Sequence, residues 1–348
     1  MEKIRLGRTE MMVTGLGFGG IPIQRVPEEE AIAVVHKCLE LGINFLDTAN
    51  GYTTSEEKIG KAIIGRREGI FLATKSFAST REDMEKHVTL SLERLGVDYI
   101  DLYQFHNVSD AKALETVLDS DGPRGAVEDA RRAGLVKHIG ITSHQIDIAK
   151  DAVKTGLFET LMFPLNFMSY EGREELLSLC QQHDVGFIAM KPLAGGMIDN
   201  AAIAIKYLLQ FPDILLIPGI ERVPEIEEIA RVFDGPKEMT ALEKQEMERI
   251  RQELGARFCR RCDYCQPCQA EIPIADVMSF PSLAKRMPQV RLYTGKFAES
   301  FVKADECTDC GECEERCPYN LPIRDMMKEH VKMHQADKLE YEKQPASR

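Results

Sequence analysis

Short apolar runs alternate with longer amphipathic stretches over the first two-thirds of the chain. The runs fall at residues 14–18, 44–47, 71–74, 100–105, 138–142, 160–163, 186–190 and 214–218. They are almost unbroken in apolar character, as parallel strands covered on both faces are. Between them apolar positions recur at helical spacing, over residues 28–41, 55–64, 80–95, 124–133, 145–155, 171–182, 199–209 and 224–234. Eight strands, each followed by a helix, predict an α/β fold: a closed (β/α)8 TIM barrel over residues 1–236. Gly42, Gly96 and Gly134 follow the first, third and fourth helices, where a left-handed C-cap is expected. Residues 4–14 read as a hairpin turning near Gly7, placed to plug the barrel floor.

The alternation stops at Gly235-Pro236. Thr240-Ala-Leu-Glu243 is a capping-box pattern, and it opens a helix that Gly255 ends. Residues 237–255 are therefore expected to form a connecting helix, and residues 256–325 a small second domain with a helical middle at 274–303. Residues 326–348 form a tail, expected to be loosely ordered from Asp337 because it is strongly charged. His330 and His334 lie four apart, which permits a metal pair. With no third ligand nearby, a solvated helix face is the expectation.

A chain of 348 residues can bury one large core and a smaller one. The net charge of -12 argues against a nucleic-acid partner, since phosphate binding needs a basic face. No apolar stretch is long enough to span a bilayer, so no membrane partner is expected. The N-terminal Met1-Glu-Lys-Ile-Arg-Leu6 has no apolar core of a signal peptide, and a cytoplasmic location is expected.

Eight of the ten cysteines change the picture most. Cys259, Cys262, Cys265 and Cys268 form one run; Cys307, Cys310, Cys313 and Cys317, followed by Pro318, form another. The second run reads C-x2-C-x2-C-x3-C-P, the spacing of bacterial ferredoxins, and predicts a small ferredoxin-like domain holding 4Fe-4S clusters. Structural zinc takes two C-x-x-C pairs further apart, and disulfides need an oxidising compartment. In two-cluster ferredoxins the fourth Cys of each run ligates the other cube. That logic assigns Cys259, Cys262, Cys265 and Cys317 to one cluster and Cys307, Cys310, Cys313 and Cys268 to the other. The first run closes with a gap of two rather than three residues, and Gln269 replaces the Pro. Two clusters is the preferred count, with one cluster and spare thiols as the alternative. Cys38 and Cys180 fall on apolar helix faces and read as core residues.

Gly15-Leu-Gly17-Phe-Gly19-Gly20 satisfies G-x-G-x-x-G, the dinucleotide fingerprint. That motif needs a helix to begin inside it. Here Ile21-Pro22-Ile23 continues extended, so these glycines read as the first barrel strand and its loop, with close backbone approach to something bound above it.

Asp47, Lys75 and His106 stand at or just past the ends of consecutive strands, and Tyr52 follows Asp47 in the loop. In a barrel this is the face where side chains of different strands converge on a ligand. The segment Phe45-Leu-Asp47-Thr-Ala-Asn-Gly-Tyr52, followed by Ser55-Glu56-Glu57, resembles the D-x4-Y segment of aldo-keto reductases. Ala73-Thr-Lys75 resembles that family's lysine strand, and Asp101-Leu-Tyr-Gln-Phe-His106 its histidine strand. Gly140-Ile-Thr-Ser143-His144 resembles the strand whose Ser holds the nicotinamide amide, and Pro192-Leu193 and Pro218-Gly219 the last two loops, which hold cofactor phosphates. With the cysteine runs, the chain resembles the branch carrying a C-terminal iron–sulfur domain.

The resemblance implies an NAD(P)H-dependent oxidoreductase that interconverts an aldehyde or ketone and an alcohol. Tyr52 would donate the proton; as a phenol with a pKa of roughly 10 it would need the Lys75 cation beside it. Asp47 would hold Lys75, and His106 would orient the substrate carbonyl. NADPH or NADH would lie along Gly20, Ser143, Asn166, Lys191, Pro192, Leu193, Pro218 and Gly219, with Arg222 and Glu228 at its adenine end. Glu221, Ile229, Met162 and Met190 depart from common family choices and leave NADH versus NADPH, or another donor, open. Hydride transfer does not itself require iron–sulfur clusters, so these are expected to carry electrons, to a flavin or a redox partner protein, or to be structural. The competing expectation is an electron-transfer protein whose barrel binds a flavin or ligand with little dehydrogenase activity.

Overall fold

The structure, a computed structural model, describes residues 1–170 and 172–343. The chain divides into two compact units: Met1–Ala194 with Asp199–Met239, and Gly195–Ile198 with the chain from Thr240 onward.

The first unit opens with an antiparallel hairpin, β1 (Lys3–Arg5) and β2 (Met12–Thr14). Its turn passes through Gly7, whose φ of 53° is left-handed. A Cβ at Gly7 would sit 2.2 Å from Gly186 N, so only glycine lets the turn seat here. Arg8 donates to the carbonyls of His183 (2.8 Å) and Phe158 (2.6 Å), and Leu6 is fully buried. The hairpin thus caps the N-terminal ends of the strands, as anticipated.

Eight parallel strands follow: β3 (Phe18–Gly19), β4 (Phe45–Asp47), β5 (Phe71–Ser76), β6 (Ile100–Phe105), β7 (Val136–Thr142), β8 (Thr160–Pro164), β9 (Gly186–Met190) and β10 (Ile214–Ile217). The sheet is nearly closed by bridges Leu16–Leu216 and Gly19–Gly219. At this seam Gly17 N donates to Leu216 O at 2.7 Å and Gly19 N to Pro218 O at 2.9 Å. A Cβ on Gly19 would lie 2.7 Å from Pro218 O. Gly17 and Gly19 thus admit the close approach of the backbone at the end of β10. The first strand is also displaced toward the C-terminus of the predicted segment.

Strand alternation sorts the core into two layers. Phe45, Ala73, Leu102, Met162, Ile188 and Leu215 pack with Leu6, Met11 and Val13 of the plug in the barrel interior. Their neighbours Leu46, Leu72, Tyr103, Leu161, Ala189 and Leu216 face outward. There they meet α1 (Glu28–Glu40), α2 (Ser55–Ala62), α3 (Arg81–Leu95), α4 (Ala111–Leu118), α5 (Pro123–Arg132), α6 (Ile146–Lys154), α7 (Arg173–Gln182), α8 (Ala201–Leu208) and α9 (Val223–Phe233). Gly96 ends α3 with φ 64°. Cys38 and Cys180 are buried here, and burial pushes both thiols up to about 12. The sequence pattern assigned no helix between residues 105 and 124, where α4 forms. The helix forms because Asp110 caps it, accepting from Ala113 N at 2.8 Å, and because Leu114 and Val117 bury. Of the predicted helix 171–182, Glu171 lies outside the described residues.

The second unit comprises α10 (Ala241–Gly255), α11 (Ile274–Ala284), α12 (Gln289–Tyr293), α13 (Gly295–Ala304), α14 (Glu312–Glu315) and α15 (Ile323–Lys343). The capping box of α10 forms in both directions: Thr240 Oγ1 accepts from Glu243 N at 3.2 Å, and Glu243 Oε2 from Thr240 N at 2.7 Å. The connecting helix thus groups with this unit. The expectation of a loose tail from Asp337 fails as far as Lys343, because α15 continues through it for 21 residues; 344–348 lie outside the described residues. The helix is anchored by Met326, Met327, His330, Val331 and His334, all buried. The solvated-face reading of the two histidines fails with it. His330 Nδ1 bonds Val277 O at 3.1 Å, and His334 Nε2 bonds Leu292 O at 3.0 Å while its ring stacks on Phe301 at 3.8 Å. Charge counts could not reveal this, since an imidazole is amphipathic. Among the described residues no helix is long and apolar enough to cross a membrane.

Burial holds both histidines below their ordinary value, only partly offset by the carbonyl each one meets. Below the unfolded value of about 6.5 the unfolded chain therefore binds protons that the folded unit refuses, so stability is lost as pH falls through that value. The hydrogen-exchange protection factors across residues 323–343 should fall below about pH 6.5. In the His330→Asn/His334→Gln double variant the fall should be weaker than in the native chain.

Candidate active site and thiol cradles

The inward pleat positions that fill the barrel become polar at the C-terminal ends of the strands. Two residues past Phe45 comes Asp47; two past Ala73, Lys75; two and four past Leu102, Gln104 and His106. Asp47, Lys75 and Gln104 are 3%, 2% and 0% exposed. Lys75 Nζ donates to Asp47 Oδ2 at 2.5 Å and to Thr48 O at 2.7 Å. Gln104 Nε2 donates to the other carboxylate oxygen, Asp47 Oδ1, at 3.2 Å. Burial disfavours the Lys75 charge, but Asp47 and then Tyr52 outweigh it and hold the pKa above the usual lysine range. Burial pushes Asp47 upward, with Lys75 and Gln104 opposing.

Tyr52 sits in the turn after β4, its N–H donating to Ala49 O at 2.9 Å. Its ring lies 5.1 Å from Lys75 Nζ and meets His106 edge to face at 5.7 Å. Phe77 stacks on the other side of the imidazole at 3.8 Å. Burial, then the Lys75 and Lys191 charges, hold His106 well below its ordinary value, so the ring is neutral. Its buried Nδ1 has no hydrogen-bond partner. The four residues singled out in sequence are thus brought together. Gln104 was visible only as part of the strand motif; the signal was a polar residue at an inward position. Gly140 packs beside it: a Cβ there would lie 2.2 Å from Thr160 Oγ1 and 3.1 Å from Gln104 Cγ.

The candidate nucleotide contacts surround this group unevenly. Gly20 N donates to Asp47 O at 2.8 Å, and its carbonyl accepts from Ser55 Oγ at 2.8 Å. Ser143 Oγ donates to Val108 O at 2.7 Å. Asn166 Nδ2 donates to Lys191 O at 2.9 Å. Lys191 Nζ meets His144 Nε2 at 2.7 Å, a pairing that sequence reasoning did not anticipate. Pro192 and Leu193 follow β9, and Pro218 and Gly219 follow β10 at the seam. Arg222 is exposed at the start of α9 and pairs with Glu225 at 3.0 Å; Glu228 is exposed further along the helix. Glu221 binds Arg25 through both oxygens at 2.6 Å, linking the loops after β3 and β10.

In the second unit the thiols ring two cavities. Cys259, Cys262, Cys265 and Cys317 line one of about 360 Å³, with Arg260, Tyr319 and Ile274. Cys268, Cys307, Cys310 and Cys313 line the other, of about 400 Å³, and Cys265 borders it too. The loops that turn the thiols inward carry non-glycine residues in left-handed backbone: Arg261, Asp263, Glu271 and Asp309. Such conformations persist where a site demands them. Burial pushes Cys259 up to about 11 and Cys265 up to about 12. Among the described residues no three Cys, His, Asp or Glu gather around a point fit for one ion. Thiols spread around a cavity suit a cube, in which each addresses a different iron, better than a zinc ion that all must share.

Comparison with known proteins finds a family match in each of the two units. The aldo/keto reductase family model matches residues 14–202, and a 4Fe-4S dicluster domain model matches residues 258–322. An uncharacterised oxidoreductase of Bacillus subtilis, YqkF, is 30% identical over 213 residues, covering 57% of this chain and 67% of that protein. L-galactose dehydrogenase of Arabidopsis thaliana is 31% identical over 220 residues, with the same coverage of 57% and 67%. Among solved structures, the holo form of an aldo-keto reductase from Bacillus halodurans superposes with a TM-score of 0.62 at 25% identity, covering 72% of this chain and 96% of that one. The chain belongs to the aldo/keto reductase family and is an oxidoreductase of that type with a C-terminal 4Fe-4S domain.

Proposed function

We propose that this chain interconverts an aldehyde or ketone and the corresponding alcohol with NAD(P)H. The observation that carries the reading is the buried 2.5 Å Lys75–Asp47 pair with Tyr52 beside the ammonium. The buried, partnerless Nδ1 of His106 fits a ligand's polar atom in the same place. The nicotinamide, when bound, supplies or accepts the hydride. Gly20, Ser143, Asn166, Lys191, Pro192, Leu193, Pro218 and Gly219 would hold the dinucleotide, with Arg222 and Glu228 at its adenine end.

As the carbonyl is reduced, negative charge grows on its oxygen. Tyr52 gives that oxygen its proton, and the Lys75 ammonium offsets the charge left on the phenol oxygen. Asp47 and the Thr48 carbonyl fix Lys75, and Gln104 fixes Asp47. His106, kept neutral, donates a ring N–H to the carbonyl oxygen and sets the orientation of the substrate.

We further propose two 4Fe-4S clusters, one held by Cys259, Cys262, Cys265 and Cys317, the other by Cys268, Cys307, Cys310 and Cys313. The clusters, when bound, supply single-electron capacity and a cross-link across the unit.

Three outcomes follow. Tyr52→Phe should lower kcat by about 10²- to 10⁴-fold while NAD(P)H binding, followed by fluorescence titration, stays within about twofold; undiminished turnover would remove Tyr52 as the acid. Gln104→Leu should lower kcat by roughly tenfold through loosened Asp47, with a much smaller change in cofactor affinity, and Gln104→Glu should not restore it. In anaerobically purified protein, Cys317→Ser and Cys262→Ser should abolish the same EPR signal, and Cys268→Ser and Cys310→Ser the other, each leaving roughly four of eight irons.

A further inference from the structure

A polar network lies behind the turn that carries Tyr52. Helices around a barrel bury an apolar stripe, and α3 does so through Met84, Val88 and Leu95. Beside that stripe run three polar residues, His87, Ser91 and Arg94, at spacings of four and three, so they share one side of the helix. Each ends on a segment of the candidate active site. His87 Nδ1 meets Ser76 Oγ, at the end of β5, at 2.6 Å, and that oxygen also accepts from Ala78 N at 2.9 Å. Ser91, fully buried, accepts from Asn50 Nδ2 at 3.3 Å, and the same Nδ2 reaches the His87 carbonyl at 3.4 Å. Arg94 Nη1 donates to the Asn50 carbonyl at 3.1 Å and to Glu56 Oε2 at 3.4 Å. Glu56 is buried in the first turn of α2, and its other oxygen accepts from Thr74 Oγ1 of β5 at 2.7 Å.

Asn50 is therefore held by its side chain and by both of its backbone groups. Its N–H donates to the Lys75 carbonyl at 2.9 Å, which ties the turn to the strand that carries the ammonium. Two residues later in the same turn comes Tyr52, and then Thr53, whose φ of 34° is left-handed. Such backbone persists where its surroundings hold it. The contacts of α3 thus converge on the two segments whose separation sets the distance between the Tyr52 phenol and the Lys75 ammonium. Most of the candidate dinucleotide contacts follow β7 to β10 instead.

We infer that Asn50 and Arg94 are positioning residues, which hold the Tyr52 turn against the Lys75 strand so that the phenol stands where proton transfer requires it. This rests on the reductase reading above. Displacing a reacting group by about 1 Å can cost as much as 10²-fold in rate, so a loosened turn should show in kcat before it shows in binding.

The test uses two variants of the full-length holoprotein. Asn50→Ala removes the amide and leaves the backbone bonds. Arg94→Lys keeps a positive charge beside Glu56 but lacks the guanidinium fork that reaches the Asn50 carbonyl. With 4-nitrobenzaldehyde as probe and NADH or NADPH as donor, each should lower kcat by about tenfold, with KM and dinucleotide affinity within about twofold of native. In a Tyr52→Phe background the same changes should lower the residual rate by less than about twofold, because a group that acts through the phenol has nothing left to position. Equal losses in both backgrounds, or a parallel loss of dinucleotide affinity, would overturn the inference. Hydrogen exchange followed by mass spectrometry gives a second readout. Peptides spanning residues 48–55 should exchange at least about threefold faster in both variants, with β6, β8 and the thiol unit unchanged. Unaltered exchange at 48–55, or protection lost evenly over the barrel, would overturn the inference as well. If the native chain reduces no carbonyl compound, the reductase reading falls and exchange alone decides: faster exchange confined to 48–55 upholds Asn50 and Arg94 as the holders of the turn, and any other pattern overturns it.

Discussion

A charged lysine buried at the mouth of a barrel interior is the constraint on which the site depends. An ammonium taken out of water costs several kcal/mol unless a partner offsets it. Here the offset is complete in geometry: a carboxylate at 2.5 Å and a backbone carbonyl at 2.7 Å. The carboxylate needs its own second partner, and Gln104 supplies it. Remove any member and the remainder holds an uncompensated charge or dipole. The same pair then shapes its neighbours, since its cation sits beside the Tyr52 ring and helps keep His106 neutral. Stability and chemistry thus draw on one set of hydrogen bonds.

That arrangement exists because strands alternate. Phe45, Ala73 and Leu102 fill the interior, and the next inward positions are Asp47, Lys75 and Gln104. A slip of one residue would send the polar group into the apolar layer under the helices. The register holds because both layers are buried and because the seam closes on glycines that admit the backbone of β10. Gly140 likewise admits Thr160, whose Oγ1 would lie 2.2 Å from a Cβ there.

The thiol unit follows a different logic. Its apolar core is helical, from Ile274 to Val331, and partly buried cysteines border that core. The cysteine loops have little regular structure and several left-handed residues, so their form answers to the cavities they enclose. α15 covers this core through Met326, His330 and His334, and uses imidazoles where an aliphatic residue would otherwise stand.

The sequence alone was sufficient for the barrel, the plug, the capping box of α10, the convergence of Asp47, Tyr52, Lys75 and His106, and the cysteine runs. Each is encoded locally, as a two-residue or helical period, a cap, a chemical residue at a strand end, or a spacing. What needed the tertiary structure was every feature defined by two distant segments. That Gly17 and Gly19 close on the end of β10 could not be read until that strand stood beside them. Gln104 was one polar letter in a strand until Asp47 lay across from it. His144 and Lys191 are 47 positions apart and are joined only because β7 and β9 end on the same face. His330 and His334 read as solvated because their partners, Val277 and Leu292, lie on other elements. Periodicity reports which face of an element is apolar; only folding decides which atoms of another segment come to meet it.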